Sequence, residues 1–355
     1  MDFGIVLPTR ADSWAVAQRA ETLGVSHAWF YDTALLNAEI FVAMGAAAVK
    51  TSSIILATGV LTPSNRLAPV AASGLAALNQ LAPGRVAFGA GTGFTGRRTL
   101  GQGPMTLAAL ETYVRQVEAL LRGERIDFVL EGQSARTGFL DPSPPIMNIS
   151  DPIPTHISAF GPKGRKLTAR LGAGWLGSVG TPASEAEAIA AMHAAWRDEG
   201  HDPTTMHATL VGSGSVLDDD EPADSVRARA EAGPLAAVAF HELVERYDSL
   251  NGADAADHFP FKEQLAAYRK VYKAYRPADE RHLANHKGHM MALRPEETHI
   301  DGAVIRGMTL TGTRRELAER LRGIRDSGYD QLAISLPPGH EDTMLERWSE
   351  VFAAL

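Results

Sequence analysis

The chain has 355 residues, of which 45% are hydrophobic and 21% are charged, a composition typical of a folded globular protein that excludes a disordered or collagen-like one. Asp and Glu total 42 against 34 for Lys and Arg, and a net acidic chain without a basic run is a poor partner for nucleic acid, whose phosphates require clustered cations. Cysteine is absent, which excludes disulfides, thiol catalysis, iron–sulfur clusters and zinc sites made of thiolates.

The first third of the chain alternates short apolar runs with amphipathic segments. Apolar runs bounded by turn residues predict strands, and apolar residues at spacings of three and four predict helices. Strands are predicted over residues 3–7, 27–31, 54–60 and 85–90. Each is followed by a predicted helix, the first capped by Asp12 and the others over residues 37–49, 65–82 and 107–121.

The alternation is interrupted once and then resumes. Residues 126–139 predict a β-hairpin, and the proline-rich residues 141–154 predict a loop. Further strands are predicted over residues 155–159, 174–179, 206–212 and 331–335. Further helices are predicted over residues 163–172 and 184–199, after the capping box formed by Thr313 and Glu316, and over residues 341–354.

Residues 216–300 do not follow this pattern, because they are charged and contain few strand signals. We interpret them as a mostly helical insertion after the seventh strand, near the active-site mouth. Eight strands, nearly all followed by helices, predict a parallel sheet closed into a (β/α)8 TIM barrel of about 250 residues. The hairpin and the insertion account for the remaining length of a single domain over residues 1–355. An open, doubly wound sheet is the alternative.

Three glycines, Gly91, Gly93 and Gly96, match the G-x-G-x-x-G fingerprint of dinucleotide-binding folds and follow a predicted strand. The context does not fit this fold, because we expect the next helix some ten residues later and because Glu111, at the distance of the ribose-binding acid, lies inside a helix. We therefore interpret the segment as a glycine-rich loop at the C-terminal end of a barrel strand, where TIM-barrel active sites lie. A plain turn is the alternative.

A second loop, from Ser158 to Gly164, also follows a predicted strand and opens a helix. The exposed N–H groups of a helix N-terminus bind anions, and Lys163, Arg165 and Lys166 add positive charge. The sequence therefore predicts a phosphate site here. A solvated, basic helix start is the alternative.

Three histidines, His282, His286 and His289, are spaced so that they share one face of a helix. Three imidazoles on one face could bind zinc. We favour instead a helix that lines a pocket, in which one histidine moves a proton, and we predict no metal. Exposure on the surface is a further alternative.

The segments at the ends of the predicted strands resemble those of the bacterial-luciferase-like oxidoreductases. The resemblance lies in residues 58–69, in residues 83–93 and in residues 158–162. It extends over residues 1–212 and 303–355, and it is greatest to the branch that uses the deazaflavin coenzyme F420, which includes methylenetetrahydromethanopterin reductase and F420-dependent glucose-6-phosphate dehydrogenases. The resemblance implies a luciferase-like TIM barrel, usually a homodimer, with the cofactor at its C-terminal mouth.

The resemblance also implies which residues contact the cofactor. In the F420 branch, a non-prolyl cis peptide follows the third strand and lies against the ring of the cofactor, and here its position is Gly59–Val60. The residues implied near the rest of the cofactor are Asp32, Thr62, Thr92, Gly93 and Arg97. Those implied at its phosphate follow Ser158 and are Phe160, Gly161, Lys163 and Gly164.

This chain departs from those relatives at three positions. Thr33 stands where they often have His, Phe94 stands where the sugar-phosphate dehydrogenases have Glu, and Thr181 stands where they have a phosphate-binding Lys. We therefore expect a less charged substrate than a sugar phosphate. Phe94, Trp29 and Trp175 are candidates either for an apolar pocket or for the core.

We predict an oxidoreductase that transfers hydride between coenzyme F420 and a small organic substrate. The alternatives are an FMN-dependent monooxygenase that uses dioxygen and, third, a non-catalytic flavin-binding protein. Hydride transfer requires a nearby acid or base, and we expect His286 or His289 to serve, with Asp32 or a bound water as the alternative.

The sequence contains no run of about 18 apolar residues, the length of a membrane span. It also begins without the basic segment of a signal peptide. We therefore expect a soluble, cytoplasmic protein whose partner is a small molecule rather than a membrane, and the resemblance implies a homodimer.

Overall fold

A computed structural model of the protein describes residues 1–140, 145–250 and 259–355. The strands in these ranges are β1 (Asp2–Leu7), β2 (His27–Phe30), β3 (Ile55–Thr58), β4 (Val86–Ala90), β5 (Ile126–Leu130), β6 (Gln133–Thr137), β7 (Thr155–Ser158), β8 (Gly174–Ser178), β9 (Ala208–Gly212), β10 (Val216–Leu217), β11 (Gly312–Thr313) and β12 (Gln331–Ser335). Eight of them, β1 to β4, β7 to β9 and β12, form a closed parallel barrel in chain order. The last strand pairs with the first, so the predicted TIM barrel is confirmed and the open sheet is wrong.

Helices follow the barrel strands and pack around them. They are α1 (Ser13–Thr22), α2 (Ile40–Lys50), α3 (Ala68–Leu81), α4 (Phe94–Arg98), α5 (Leu107–Leu121), α6 (Pro162–Arg170), α7 (Pro182–Asp198), α8 (Val226–Leu250), α9 (Lys262–Ala274), α10 (Arg281–His286), α11 (Gly302–Met308), α12 (Arg314–Asp326) and α13 (Glu341–Phe352). Single 3₁₀ turns lie at Pro63–Asn65, Pro203–Thr205 and Ala278–Glu280. No helix within the described ranges is both long and apolar enough to cross a bilayer.

The barrel strands divide their side chains between two buried layers. Ile5, Phe30 and Phe88 point outwards and join the large core between the barrel and its helices. Val6 and Trp29 point into the barrel and form a smaller inner core. Successive side chains of a strand face opposite sides, and both sides of a barrel strand are buried. This explains why these strands read as continuous apolar runs in the sequence.

Two predicted helix N-caps can be compared with the structure, and only one of them forms. The capping box before α12 is confirmed, because the Thr313 hydroxyl accepts from the Glu316 N–H and the Glu316 carboxylate accepts from the Thr313 N–H. Asp12 stands at the N-cap of α1, but its side chain makes no capping bond. The predicted cap is wrong because its carboxylate instead accepts a hydrogen bond from Nε of Arg10 at 2.9 Å.

Outside the barrel, β5 and β6 form an antiparallel pair between α5 and β7. The long segment after β9 begins with β10 and extends to β11, and these two strands form a short parallel pair. Helices α8 to α11 lie between them, and α8, α9 and α11 share a separate hydrophobic core that includes Phe240, Tyr268 and Ile305.

Candidate active site

A cavity opens at the C-terminal ends of the barrel strands, where TIM-barrel active sites lie. Its volume is about 750 Å³ including the open space at its mouth. The lining residues are Val6, Trp29, Tyr31, Gly59, Val60, Ser158, Phe160, Leu176, Gly177, Ser178, Val211, Leu235, Val238 and Met290. Most of these side chains are apolar, and two of them come from α8, so the segment after β9 closes one side of the cavity.

Two of the three aromatic residues in the cavity wall, Trp29 and Tyr31, carry a polar atom, and both of these atoms are already paired. Trp29 donates from Nε1 to Oε1 of Gln331 at 2.9 Å, and the Tyr31 hydroxyl lies 3.1 Å from Oγ of Ser335. Burial raises the pKa of Tyr31, so its phenol stays protonated. These bonds fix both rings, and the wall offers flat, rigid, apolar surfaces to a ligand.

The Gly59–Val60 peptide bond, in the cavity wall, is cis, as the resemblance implies. The N–H of Gly59 donates to the Phe30 carbonyl at 2.7 Å. A Cβ atom on Gly59 would lie 2.7 Å from Cβ of Trp29, closer than real Cβ atoms approach. Glycine is therefore required at this position by the neighbouring strand end.

The glycine-rich loop after β4 lies next to this peptide. A Cβ atom on Gly91 would lie 2.8 Å from Cγ2 of Val60. Gly93 has φ +75 and directly precedes the short helix α4. The expectation that the next helix begins some ten residues later is therefore wrong for α4 and holds only for α5. Arg97 belongs to α4, and its Nε donates to the Gly103 carbonyl, which folds the loop back on itself.

Asp32 is buried after β2 and holds the neighbouring loop in place. Its Oδ2 accepts from the Thr62 N–H at 3.0 Å and from Nη1 of Arg66 at 2.7 Å. Its Oδ1 accepts from Nη2 of Arg66 at 3.1 Å. Both carboxylate oxygens are thus engaged, and the bidentate ion pair with Arg66 favours a positioning function over proton transfer.

The predicted phosphate site lies where α6 begins. Gly161 is the N-cap residue and makes no side-chain cap, so no side chain of the described residues caps the first N–H groups of this helix. Lys163 is exposed at this end of the helix. Arg165 donates to the Phe160 carbonyl at 2.7 Å and supports the loop. Ser158 and Phe160 also line the cavity, so the anion-binding end of α6 adjoins it.

His286 and His289 are both buried, so the surface alternative is wrong. The single helical face is also wrong, because α10 ends at His286 and the chain turns at Gly288, where φ is +67. The two imidazoles still lie together, with ring centroids 4.7 Å apart. They contact Phe94 of the glycine-rich loop at centroid distances of 5.3 and 6.3 Å, but they do not line the cavity themselves.

These histidines belong to a buried polar group in the segment after β9. Nε2 of His286 lies 2.9 Å from Oε1 of Glu245, and Nδ1 of His289 lies 2.8 Å from Nδ1 of His241. Nε2 of His241 lies 2.5 Å from Oε1 of Glu297. Burial lowers the pKa of His241 and of His289 well below the usual value, so both imidazoles stay neutral at neutral pH. Burial raises the pKa of Glu297.

The remaining sequence candidates separate into two groups. Trp29 lines the cavity, whereas Trp175 packs in the outer core and donates to the Ala159 carbonyl at 2.7 Å. The hydroxyl and the N–H of Thr62 both donate to Asp32, so neither group is directed at a ligand. Thr92 lies in the glycine-rich loop, where its carbonyl accepts from the Met105 N–H at 3.0 Å.

The sequence interpretation missed several residues that the fold brings to the site. Leu235, Val238 and Met290 line the cavity from the segment after β9, for which no related motif was found. It also missed the pairing of His241 with Glu297. The spacing of His241 and Glu245, one helical turn apart, was the available signal that one face of α8 is polar and buried.

A family model described as luciferase-like monooxygenase matches residues 1–331. An F420-dependent glucose-6-phosphate dehydrogenase of Beutenbergia cavernae is 34% identical over 147 residues, which are 39% of this chain and 41% of the relative. A 5,10-methylenetetrahydromethanopterin reductase of Methanolobus tindarius is 25% identical over 63% of this chain and 65% of its own. Each match thus spans less than two thirds of the relative.

The fold is also similar to that of a solved structure, the coenzyme F420 dependent tetrahydromethanopterin reductase from Methanopyrus kandleri. The TM-score is 0.70 at 18% sequence identity, and the superposition covers 98% of this chain and 97% of that one. At this identity the comparison supports the barrel architecture.

Proposed function

The chain belongs to the luciferase-like monooxygenase family, and we propose that it is an oxidoreductase that transfers hydride between coenzyme F420 and a small, uncharged organic substrate. The observation that carries this proposal is the apolar cavity at the C-terminal mouth of the barrel, bounded by Gly59–Val60 and by the loop before α6. The F420-dependent relatives support the choice of cofactor.

The residues present fit such a cofactor. Glycine at positions 59 and 91 leaves the backbone bare where a side chain would collide with Trp29 or Val60. A flat ring can lie in the adjoining cavity, against the rigid wall of Trp29 and Tyr31 and the Gly59–Val60 peptide. The uncapped N–H groups at the start of α6, together with Lys163, would hold a phosphate.

The other residues that the resemblance places near the cofactor affect its binding indirectly, because they hold the loops around the cavity in position. Asp32 fixes Thr62 and Arg66, and so it positions the segment that follows Gly59–Val60. Thr92, Gly93 and Arg97 shape the glycine-rich loop. We propose that this loop, with the start of α6, binds the part of the cofactor outside the ring.

The bound deazaflavin would supply the hydride chemistry. The protein would bind the ring, exclude water with the apolar wall, and move one proton to or from the substrate. We propose that His286 or His289 performs the proton transfer, because both are buried behind Phe94, beside the glycine-rich loop. Asp32 is less suited, because both of its carboxylate oxygens are already bound.

Two substitutions support an uncharged substrate. Phe94, in place of an acidic residue, packs against His286. Thr181, in place of a lysine, caps α7 by accepting from the Ser184 N–H at 3.2 Å. Neither position offers charge to a sugar phosphate, and the cavity is apolar.

We further propose a homodimer formed by α2 and α3. Val42 and Val70, on these neighbouring helices, are 65% and 54% exposed in the single chain, and Val49 on α2 is 63% exposed. Exposed valines on two helices that pack against each other are side chains that a second copy would cover. A cytoplasmic location agrees with the absence of cysteine.

Titration of the purified protein with F420 and, separately, with FMN tests the function, with binding followed by absorbance and fluorescence. We expect saturable binding of F420 and weaker or no binding of FMN. Preference for FMN, with consumption of dioxygen in the presence of a reductant, would favour the monooxygenase alternative. Binding of a flavin without any turnover would favour a binding protein, and binding of neither cofactor would contradict the proposal.

A further inference from the structure

The segment after β9 buries a chain of three titratable side chains. Glu297, His241 and His289 are 1%, 2% and 3% exposed. Oε1 of Glu297 lies 2.5 Å from Nε2 of His241, and Nδ1 of His241 lies 2.8 Å from Nδ1 of His289. Nε2 of His289, the outer end of the chain, has no hydrogen-bond partner among the described residues.

We infer that Glu297, His241 and His289 form a proton relay that stores one proton at Glu297 and delivers it through Nε2 of His289. This inference rests on the proposed function, because the hydride-transfer reaction is what would use the proton. Each hydrogen bond of the chain needs one hydrogen between its two atoms, so the position of the proton on one imidazole dictates its position on the next.

The chain has two states that differ by one proton. In the loaded state, the carboxylic acid of Glu297 donates to Nε2 of His241, Nδ1–H of His241 donates to Nδ1 of His289, and Nε2 of His289 carries a hydrogen. In the discharged state, Nε2–H of His241 donates to the carboxylate of Glu297, Nδ1–H of His289 donates to Nδ1 of His241, and Nε2 of His289 is bare.

Delivery breaks the Nε2–H bond of His289. The hydrogen on Nδ1 of His241 moves to Nδ1 of His289, and the hydrogen of Glu297 moves to Nε2 of His241. One proton leaves, Glu297 becomes a carboxylate, and both imidazoles are neutral before and after. No electrons are transferred, and uptake of a proton follows the same steps in reverse.

Arg294 is placed to stabilise the negative charge that forms on Glu297 when its proton leaves. Its Nη2 lies 2.7 Å from Oε1 of Glu297 and 2.6 Å from the hydroxyl of Tyr268. These two bonds use both hydrogens of Nη2, so its contact of 3.2 Å with Nε2 of His241 requires no hydrogen. The backbone N–H of Arg294 also donates to Oε2 of Glu297 at 2.7 Å. Both oxygens of the carboxylate are therefore satisfied.

The other titratable and charged groups around the relay come from each element packed on it. They are Arg98 of α4, Glu245 of α8, Tyr268 of α9, His286 of α10, and Tyr275, Glu296 and His299 from the segments that follow α9. Glu245 pairs with His286 and Arg98, so these three form a separate unit beside the relay. The pKa directions agree with a proton that rests on Glu297 rather than on an imidazole.

The relay lies next to the cavity. Val238 of α8 lines the cavity, and His241 follows it by about one turn on the same face of the helix. His289 precedes Met290, whose side chain also lines the cavity. Phe94 of the glycine-rich loop contacts His289 at a centroid distance of 6.3 Å.

The test is the tautomeric state of His241 and His289 in the cofactor-free protein. Long-range ¹H–¹⁵N spectra of protein labelled at histidine identify which ring nitrogen carries the hydrogen, and single histidine variants assign the signals. Between about pH 9 and pH 5, we expect both rings to change tautomer together at one midpoint, without either becoming an imidazolium. Tautomers that stay fixed, or two independent titrations to imidazolium, would overturn the inference.

Variants sharpen this measurement. Glu297→Gln cannot take up a proton, so we expect both tautomers to become independent of pH. Glu296→Gln is the matched control, since Glu296 also contacts Arg294 but not the relay, and it should keep the joint change. If Glu297→Gln does not fold, the pH series on the unmodified protein and on the control still decides the question.

Titration of the same samples with F420 separates this inference from the proposed function. Binding of F420 with fixed tautomers would overturn the relay and leave the proposed function intact. A joint tautomer change without F420 binding would support the relay and contradict the proposed function. With a substrate in hand, Glu297→Gln should lower kcat by on the order of 100-fold and leave KM nearly unchanged.

Discussion

The space for a side chain at Gly59 is closed by Cβ of Trp29, which a new Cβ would approach to 2.7 Å. We therefore expect Gly59→Ala to displace Trp29 from the cavity wall, to lower the free energy of unfolding by about 1–3 kcal/mol, and to weaken F420 binding. Denaturant unfolding and a fluorescence titration measure the two effects. Gly45→Ala is the control, because a Cβ on this residue of α2 meets nothing within 4 Å, and it should not destabilise the protein. Unchanged F420 binding in Gly59→Ala would contradict the placement of the ring.

At the scale of single residues, the sequence identified side chains better than it identified their partners. Asp32 was selected from the sequence as a cofactor residue, but its partner Arg66 lies 34 positions away, and the pairing depends on how two strand ends meet in the barrel. His289 was selected by its spacing from His286, although the helix that motivated the choice ends before it. Its partner His241 is 48 positions away. Contacts of this range follow from the closed fold and leave no periodic signal.

At the scale of elements, barrel strands were predictable because each is buried on both sides and therefore apolar throughout. The predicted strand over residues 331–335 has the bounds of β12. Short elements were not predictable. Helix α4 has five residues, fewer than two turns, so no apolar period can develop in it. The separate core of the segment after β9 was also missed, because Tyr268 comes from a helix rich in charged residues and Ile305 lies beyond the predicted insertion over residues 216–300.

The N-terminus of α6 is the element that we expect to bind the phosphate of F420. Its N–H groups lack a side-chain cap, and Lys163 lies in its first turn. Charge reversal in Lys163→Glu should raise the dissociation constant of F420 by about tenfold, equivalent to about 1.4 kcal/mol. Lys166→Glu is the matched control, because it changes the net charge equally one turn later, where the effect of the helix terminus is weaker. Equal effects of the two variants would indicate long-range attraction only, and no effect of Lys163→Glu would place the phosphate elsewhere.

At the scale of the whole molecule, two histidines inside the barrel make the stability depend on pH. Burial, with His207 nearby, lowers the pKa of His27 to about 4 and that of His156 to about 3. In the unfolded chain both titrate near 6.5. Below this value the unfolded state binds more protons than the folded state, so stability is lost as the pH falls from about 6.5 towards about 4. Above about pH 7.5 these two histidines make no further contribution to the free energy of unfolding, because they are neutral in both states.

We therefore expect the free energy of unfolding, measured in urea, to be lower at about pH 5.5 than at about pH 7.5. The expected difference is about 1 kcal/mol for each of the two histidines. His156→Gln, which cannot titrate, should reduce this difference by about half of the contribution of the pair, whatever its effect on stability at neutral pH. A comparison between about pH 8 and pH 9, where neither state takes up these protons, serves as the control. If the variant retained the full difference, His156 would not be the titrating group.

The homodimer is a prediction for the assembled molecule. Valines more than half exposed on α2 and α3 would be covered by a second copy of the same helices, because a two-fold interface uses the same surface on both chains. Light scattering should give the mass of two chains for the wild type.

The double variant Val42→Glu and Val70→Glu buries four like charges across such an interface. It should give the mass of one chain, with the barrel still folded by circular dichroism. Val129→Glu is the control, since Val129 is 63% exposed on β5 and belongs to neither α2 nor α3, and it should leave the dimer intact. A double variant that remains dimeric would place the interface on another surface, and a monomeric wild type would contradict the dimer itself.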